Sequence, residues 1–187
     1  MPFQPEFPGF SSPARSEPTL SNALEAYPHV SAGTISRHAK RIGRAGEQLV
    51  DSILTRYGDH ILAAPEDEPF DRLVRRGDQH VKIQVKTSAR AVGGFYKFSM
   101  KRGYSGSPKG IRSYGVDDYD IAALVALPEN VVLFSADRRE SHRIGLDQIE
   151  ALRAQPRASY LRALEEIGVL EPDEPEGMPP EPGLPTF

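Results

Sequence analysis

The sequence predicts an α/β fold in which a mixed β-sheet is flanked by helices and both chain ends are disordered. Three observations carry that expectation. Hydrophobic patterning runs helix, several strands, then helix, the order of a layered α/β or α+β domain. The run "IAALVAL", residues 121–127, is apolar almost without interruption, as in a strand covered on both faces. The 17 prolines crowd toward the two ends of the 187-residue chain.

Taken in order, residues 1–35 are rich in Pro, Ser and Gly and weak in periodicity. They are expected to form a disordered tail, with one helical turn at "LSNALEAY". The domain spans 36–168. Between 36 and 57, Ile42, Gly46, Leu49, Val50, Ile53 and Tyr57 recur at three- and four-residue spacing, which makes an amphipathic helix that Gly58 stops. "HILAAP" is a short strand and "EDEP" a loop. Residues 71–88, "DRLVRRGDQHVKIQVKTS", read as two strands joined at Gly77-Asp78, with glycine first as a primed hairpin turn prefers. "GGFYKFSM" alternates, placing Phe95, Lys97 and Ser99 on one strand face. A glycine- and lysine-rich loop follows over 101–115. Beyond the apolar run, "PEN" turns the chain into "VVLFSA" as an antiparallel partner. Helices at 146–153 and 156–167 close the domain, and residues 169–187 form an acidic, Pro-rich, disordered tail.

Composition excludes several chemistries. Without cysteine there is no disulfide and no thiolate metal or redox site. The five histidines show neither HxH nor HExxH spacing, which argues against zinc. No GxxxxGK[ST] loop is present. The start of the chain lacks the pattern of a signal peptide, and no apolar run approaches the ~20 residues of a membrane span. A soluble cytoplasmic protein is expected.

The net charge of −3 is unevenly distributed. Both ends are acidic, and residues 35–167 hold 22 basic against 18 acidic side chains. Between residues 82 and 112 lie Lys82, Lys86, Arg90, Lys97, Lys101, Arg102, Lys109 and Arg112, with no acidic residue among them. Such a cluster attracts a polyanion even on an acidic chain. Tyr96, Tyr104 and Tyr114 are interleaved with it, a composition suited to a loop that closes on a phosphate backbone. Lys82, Lys97, Lys101, Arg102, Lys109 and Arg112 are the candidate nucleic-acid contacts; the alternative is a solvated, mixed-charge surface.

The hairpin raises a sharper question, because its second strand alternates polar residues with apolar ones. With Gly77-Asp78 at the tip, Leu73 pairs with Lys82 and Asp71 with Gln84. Alternation then puts Asp71, Lys82, Gln84 and Lys86 on one sheet face. Opposed residues have Cβ atoms ~5 Å apart, so Asp71 and the Gln84 amide oxygen can share one ion. A carboxylate with a second oxygen ligand and several waters suits Mg²⁺. A lysine beside it can orient an activated water or neutralise charge on a phosphate. The bland alternative is an exposed hairpin face whose Asp–Lys pair contributes under ~1 kcal/mol.

"PFD" (Pro69, Phe70, Asp71), the hairpin and then "IQVKTS" resemble the PD-(D/E)xK nuclease superfamily in its QxK variety, as in group I intron homing endonucleases. The helix bearing "GRAGE" is similar to the first helix of these nucleases and of Holliday junction resolvases. The similarity covers about residues 41–133. It implies a restriction-endonuclease-like fold and a Mg²⁺- or Mn²⁺-dependent endonuclease acting on DNA. Asp71 is then the main metal ligand, Glu47 a supporting one, and Gln84 and the Val85 carbonyl complete the shell. Lys86 positions the attacking water, and Thr87 and Ser88 contact phosphate. The resemblance further implies a homodimer, since two sites cut two strands most simply. On a helical wheel Glu47 lies at the edge of the apolar arc, able to reach the sheet while half wet; the alternative is an ordinary solvated glutamate. Arg72 stands where the family has a hydrophobic residue, and alternation sends it to the opposite face, away from the site. The family's helix between its third and fourth core strands has no counterpart in "KRGYSGSPKGIRSYG". Asp117, Asp118 and Asp120 read as loop caps rather than a second metal cluster.

A metal-dependent DNA endonuclease is the expected function. A DNA-binding protein with an inactive nuclease fold is the alternative, since an amide is a weaker ligand for a hard cation than a carboxylate. An interaction protein acting through Pro-rich tails is the third reading.

Overall fold

The computed structural model describes residues 23–103, 106 and 110–170. Residues 23–28 form turns and lead into helix α1, Ala32–Arg37, capped by Ser31, whose hydroxyl accepts from the Thr34 amide at 3.1 Å. The predicted tail through residue 35 is thus structured from residue 23, while residues 1–22 lie outside the described residues. Helix α1 buries no side chain, so apolar periodicity could not mark it. At the other end Val169 and Leu170 pack on the core, and residues 171–187 lie outside the described residues.

Helix α2, Ala39–Arg56, buries Ile42, Gly46, Val50, Ile53 and Leu54 and ends at Tyr57, with Gly58 left-handed (φ +85°) as the stop. The chain then forms β1 (His60–Ala63), β2 (Arg72–Arg76) and β3 (Gln79–Ser88). The β2–β3 register pairs Leu73 with Lys82, and the tip residue Gly77 has φ +56°, as the turn chemistry requires. Next come β4 (Phe95–Ser99), the two-residue strands β5 (Lys101–Arg102) and β6 (Arg112–Ser113), β7 (Ile121–Ala126), β8 (Val131–Ser135) and β9 (Ser141–Gly145). Helices α3, Ile149–Ala154, and α4, Ala158–Glu166, complete the domain.

The main sheet has the order β1-β2-β3-β7-β8. It is mixed: β3 and β7 run parallel and the other pairs antiparallel. The predicted α/β architecture of a mixed sheet flanked by helices is therefore present. Every residue of β7 is buried, because α2 and α4 cover one sheet face and the β4–β9 ribbon with α3 covers the other. Two elements depart from expectation. The loop over 101–115 contains the small β5–β6 ladder, while the crossover from β3 to β7 shows no helix among the described residues, in line with the glycines and proline of that stretch. Strand β9 carries no strand signal of its own, since "SHRIG" is short and half polar; it is a strand because β4 pairs with it. Among the described residues no helix is long and apolar enough to cross a membrane.

Candidate active site

Asp71 sits where β2 begins to part from β3. Its amide donates to the Ile83 carbonyl at 2.9 Å, and its carboxylate turns onto the next stretch of β3. Oδ2 accepts from the Val85 amide at 2.7 Å and from Gln84 Nε2 at 2.5 Å. Gln84 Nε2 also donates to the Val85 carbonyl at 3.0 Å. The pairing of Asp71 with Gln84 stands, but the amide nitrogen faces the carboxylate, where the sequence led us to expect the oxygen. The reason is chemical: Asp71 Oδ2 and Val85 O are both acceptors, so the atom between them must be a donor. Asp71 Oδ1 has no hydrogen-bond partner among the described residues.

Lys86 lies two residues further along the same face. Its Nζ donates to the Lys101 carbonyl at 2.9 Å and stands 5.0 Å from the centroid of the Tyr114 ring. Burial lowers the Lys86 pKa; the Asp71 charge opposes this and Arg102 adds to it. Burial likewise raises Asp71, resisted by the Val85 N–H and reinforced by the like charge of Glu47. A carboxylate and an ammonium thus both have pKa values displaced from their ordinary ones, a common feature of reactive sites and also of some structural ion pairs. Tyr114 is fixed edge-on against Tyr119 at 5.2 Å, and Arg102 lies 6.0 Å from its ring while pairing with Asp118 at 3.6 Å.

Glu47 reaches this place because of the glycine before it. A Cβ on Gly46 would stand 2.0 Å from Thr87 Oγ1, so α2 seats its bare backbone directly on β3. The next side chain, Glu47, still one-third exposed, then lies near enough to Asp71 for its charge to raise the Asp71 pKa. Arg72 does alternate to the opposite face, but the expectation that this removes it from the site is corrected. That face is the one α2 covers, and Arg72 there pairs with Glu47 at 3.3 Å and with Asp51 at 2.5 and 2.9 Å. It also donates to the Asp71 carbonyl at 2.8 Å. Sequence reasoning missed Asp51 as well, although it follows Glu47 at the i+4 spacing that shares a helix face.

Among the described residues no three His, Asp or Glu side chains gather into a metal-binding group. The donor set nevertheless fits a divalent cation. Asp71 is a half-buried carboxylate with one oxygen unpartnered among the described residues, and desolvation raises its pKa. Glu47 adds a second carboxylate and Val85 a carbonyl, and a hard cation accepts such a set with waters. Gln84 joins it only by turning its amide over.

The basic residues are dispersed. Lys82 Nζ is tied to the Asp117 carbonyl at 2.8 Å, and Asp120 accepts the Lys82 amide at 2.7 Å. Asp118 accepts the Gly115 amide at 2.9 Å, so this acidic stretch caps a loop, as the sequence implied. Lys97 is exposed on β4, and Lys101 is exposed while its carbonyl holds Lys86. Arg112 pairs in register with Arg102. Lys109 and Tyr104 lie outside the described residues.

No family model matches the chain, and no curated protein matches it. Among solved structures, a bacterial homing endonuclease, I-Ssp6803I, superimposes with a TM-score of 0.50 at 17% identity. The match covers 56% of this chain and 76% of that one, and it establishes a shared fold.

Proposed function

We propose that this protein is a metal-dependent DNA endonuclease of the PD-(D/E)xK type with a QxK site. The observation that carries this reading is the gathering of Asp71, Gln84, the Val85 carbonyl and Lys86 where β2 parts from β3. Asp71 is raised and Lys86 lowered in pKa, in a fold shared with a homing endonuclease. Asp71 and the Val85 carbonyl, supported by Glu47, would hold Mg²⁺ or Mn²⁺, which supplies Lewis-acid charge and lowers the pKa of bound water. Gln84 keeps the Asp71 carboxylate and the Val85 carbonyl turned to a common point. Lys86, fixed by the Lys101 carbonyl and Tyr114, orients the attacking water and offsets charge growing on the phosphate. Lys82, Lys97, Lys101, Arg102, Lys109 and Arg112 contribute to attraction of the DNA backbone, and two copies serve two strands.

The test is cleavage of labelled duplex, branched and single-stranded DNA with Mg²⁺ or Mn²⁺ against EDTA, comparing wild type with Lys86→Ala. The expected result is metal-dependent cutting reduced by at least about 100-fold in the variant. Metal-independent cutting, or a variant as active as wild type, removes the reading. A second reading, a DNA-binding protein without catalysis, is favoured by two contacts: Gln84 Nε2 occupies Asp71 Oδ2 and Val85 O, and Arg72 holds Glu47. Wild-type DNA binding without cutting under any metal supports it.

A further inference from the structure

Strands β4 and β9 form a two-stranded ribbon whose inner face, Tyr96, Phe98 and Ile144, is buried in the second core. The outer face carries Phe95, Lys97 and Ser99 on one strand and Ser141 and Arg143 on the other, all exposed. Lys97 stands directly opposite Arg143 in the register. Like charges facing each other across an antiparallel pair destabilise a ribbon. Among the described residues neither has an acidic partner to relieve this, and the Arg143 guanidinium rests instead 5.9 Å from the Phe95 ring. A ribbon that keeps an unneutralised cationic pair on its solvent face is complementary to a polyanion.

The ribbon is also anchored at the site. Two residues beyond β4, the Lys101 carbonyl accepts the Lys86 ammonium at 2.9 Å. Lys97 lies four residues back, roughly 13 Å along an extended strand, a distance spanned by about four base pairs of duplex.

We propose that the outer face of the β4–β9 ribbon enters the major groove of duplex DNA, with Arg143 and Lys97 reading base edges about three to five base pairs from the phosphate presented to Lys86. The B-form major groove, about 12 Å wide, admits a two-stranded ribbon, and Arg or Lys to guanine is its commonest specific contact. Phe95, half exposed and beneath Arg143, offers apolar contact for a thymine methyl. This assignment rests on the nuclease reading and adds a substrate to it: duplex DNA, recognised by sequence.

The experiment compares wild type, Arg143→Glu and Arg143→Ala on the full chain. Fluorescence anisotropy measures binding to a labelled random-sequence DNA duplex and to an RNA duplex of the same length, and the melting temperature is followed in parallel. Arg143→Glu turns a repulsive cross-strand pair into an attractive one, so it should melt at or above the wild-type temperature. It should nevertheless bind DNA duplex at least about ten-fold more weakly. A merely structural arginine would move both readouts downward, and a lower melting temperature overturns the inference. So does wild type preferring RNA duplex, whose major groove is too narrow to enter. Sequences selected by wild type from a randomised duplex should show base preferences three to five base pairs from the cut, lost in Arg143→Ala; persistence of those preferences also overturns it. Wild type that binds and cuts DNA duplex while Arg143→Glu binds it as well as wild type sinks the ribbon alone. Wild type that neither binds nor cuts sinks the nuclease reading with it.

Discussion

Alternate residues of one strand, β3, face two environments and follow opposite rules. Val81, Ile83 and Val85 point toward α2 and α4 and join an unbroken apolar cluster with Leu54, Val74, Tyr160 and Leu164. Lys82, Gln84 and Lys86 point to the other side, and each is tethered to a main-chain carbonyl: those of Asp117, Val85 and Lys101. Burial on the first face is non-directional and stabilises in proportion to area. At the Asp71–Lys86 end of the second face burial opposes the charges it surrounds, raising Asp71 and lowering Lys86. One side of the strand holds the fold together, and the other shifts the pKa values of its titratable groups away from those they have in water.

The widest gap between the faces should appear in Ile83→Ala, which removes a fully buried side chain. A loss of about 2–5 kcal/mol in chemical denaturation is expected, against a clearly smaller loss for Gln84→Ala next to it. Equal losses would mean that the polar face is structural too.

Next in size is the effect of a cation. Mn²⁺ at a hundred times its dissociation constant should stabilise wild type by about 2.7 kcal/mol. It should leave the melting of Asp71→Asn nearly unchanged. Stabilisation of both proteins alike would place the ion away from Asp71.

Gly46→Ala tests how the faces are joined, since its Cβ would meet Thr87 Oγ1 at 2.0 Å and Thr87 Cβ at 3.0 Å. Overpacking of this kind costs about 1–3 kcal/mol. Adding Thr87→Ala should recover part of it, and no recovery would locate the strain elsewhere.

The smallest effect is the most diagnostic. Lys86→Met should be as stable as wild type at pH 7, or more stable by up to about 1 kcal/mol. The sign follows from linkage. Because the folded pKa of Lys86 is lowered, the unfolded chain binds more protons between that value and the ordinary lysine value, so wild-type stability rises with pH through this window. The advantage of Lys86→Met should therefore shrink there and vanish above it. A constant advantage across pH would show that the ammonium is not penalised in the fold.

Much of this was legible beforehand. The Gly77-Asp78 turn and strict alternation set the hairpin register, and with it the meeting of Asp71 and Gln84. The spacing of Ile42, Gly46, Val50 and Ile53 marked α2, and the apolar run marked β7 as doubly covered. Less legible was whatever depended on residues distant in the chain. Strand β9 exists through its pairing with β4, more than forty residues earlier. Alternation specifies the side of the sheet that Arg72 faces but not its neighbours there, because where α2 lands depends on Gly46 fitting against Thr87.

The sequence by itself determined the periodicities, the turn and the order of acid, amide and lysine along the hairpin, since these follow from steric preferences within a few residues. Only the tertiary structure decided that Glu47 and Asp51 share Arg72, that Gln84 presents its nitrogen to Asp71, and that Lys86 leans on Tyr114. Hydrogen-bond orientation and desolvation depend on whichever acceptors and rings arrive from other elements, and chain-local preference has no hold on that.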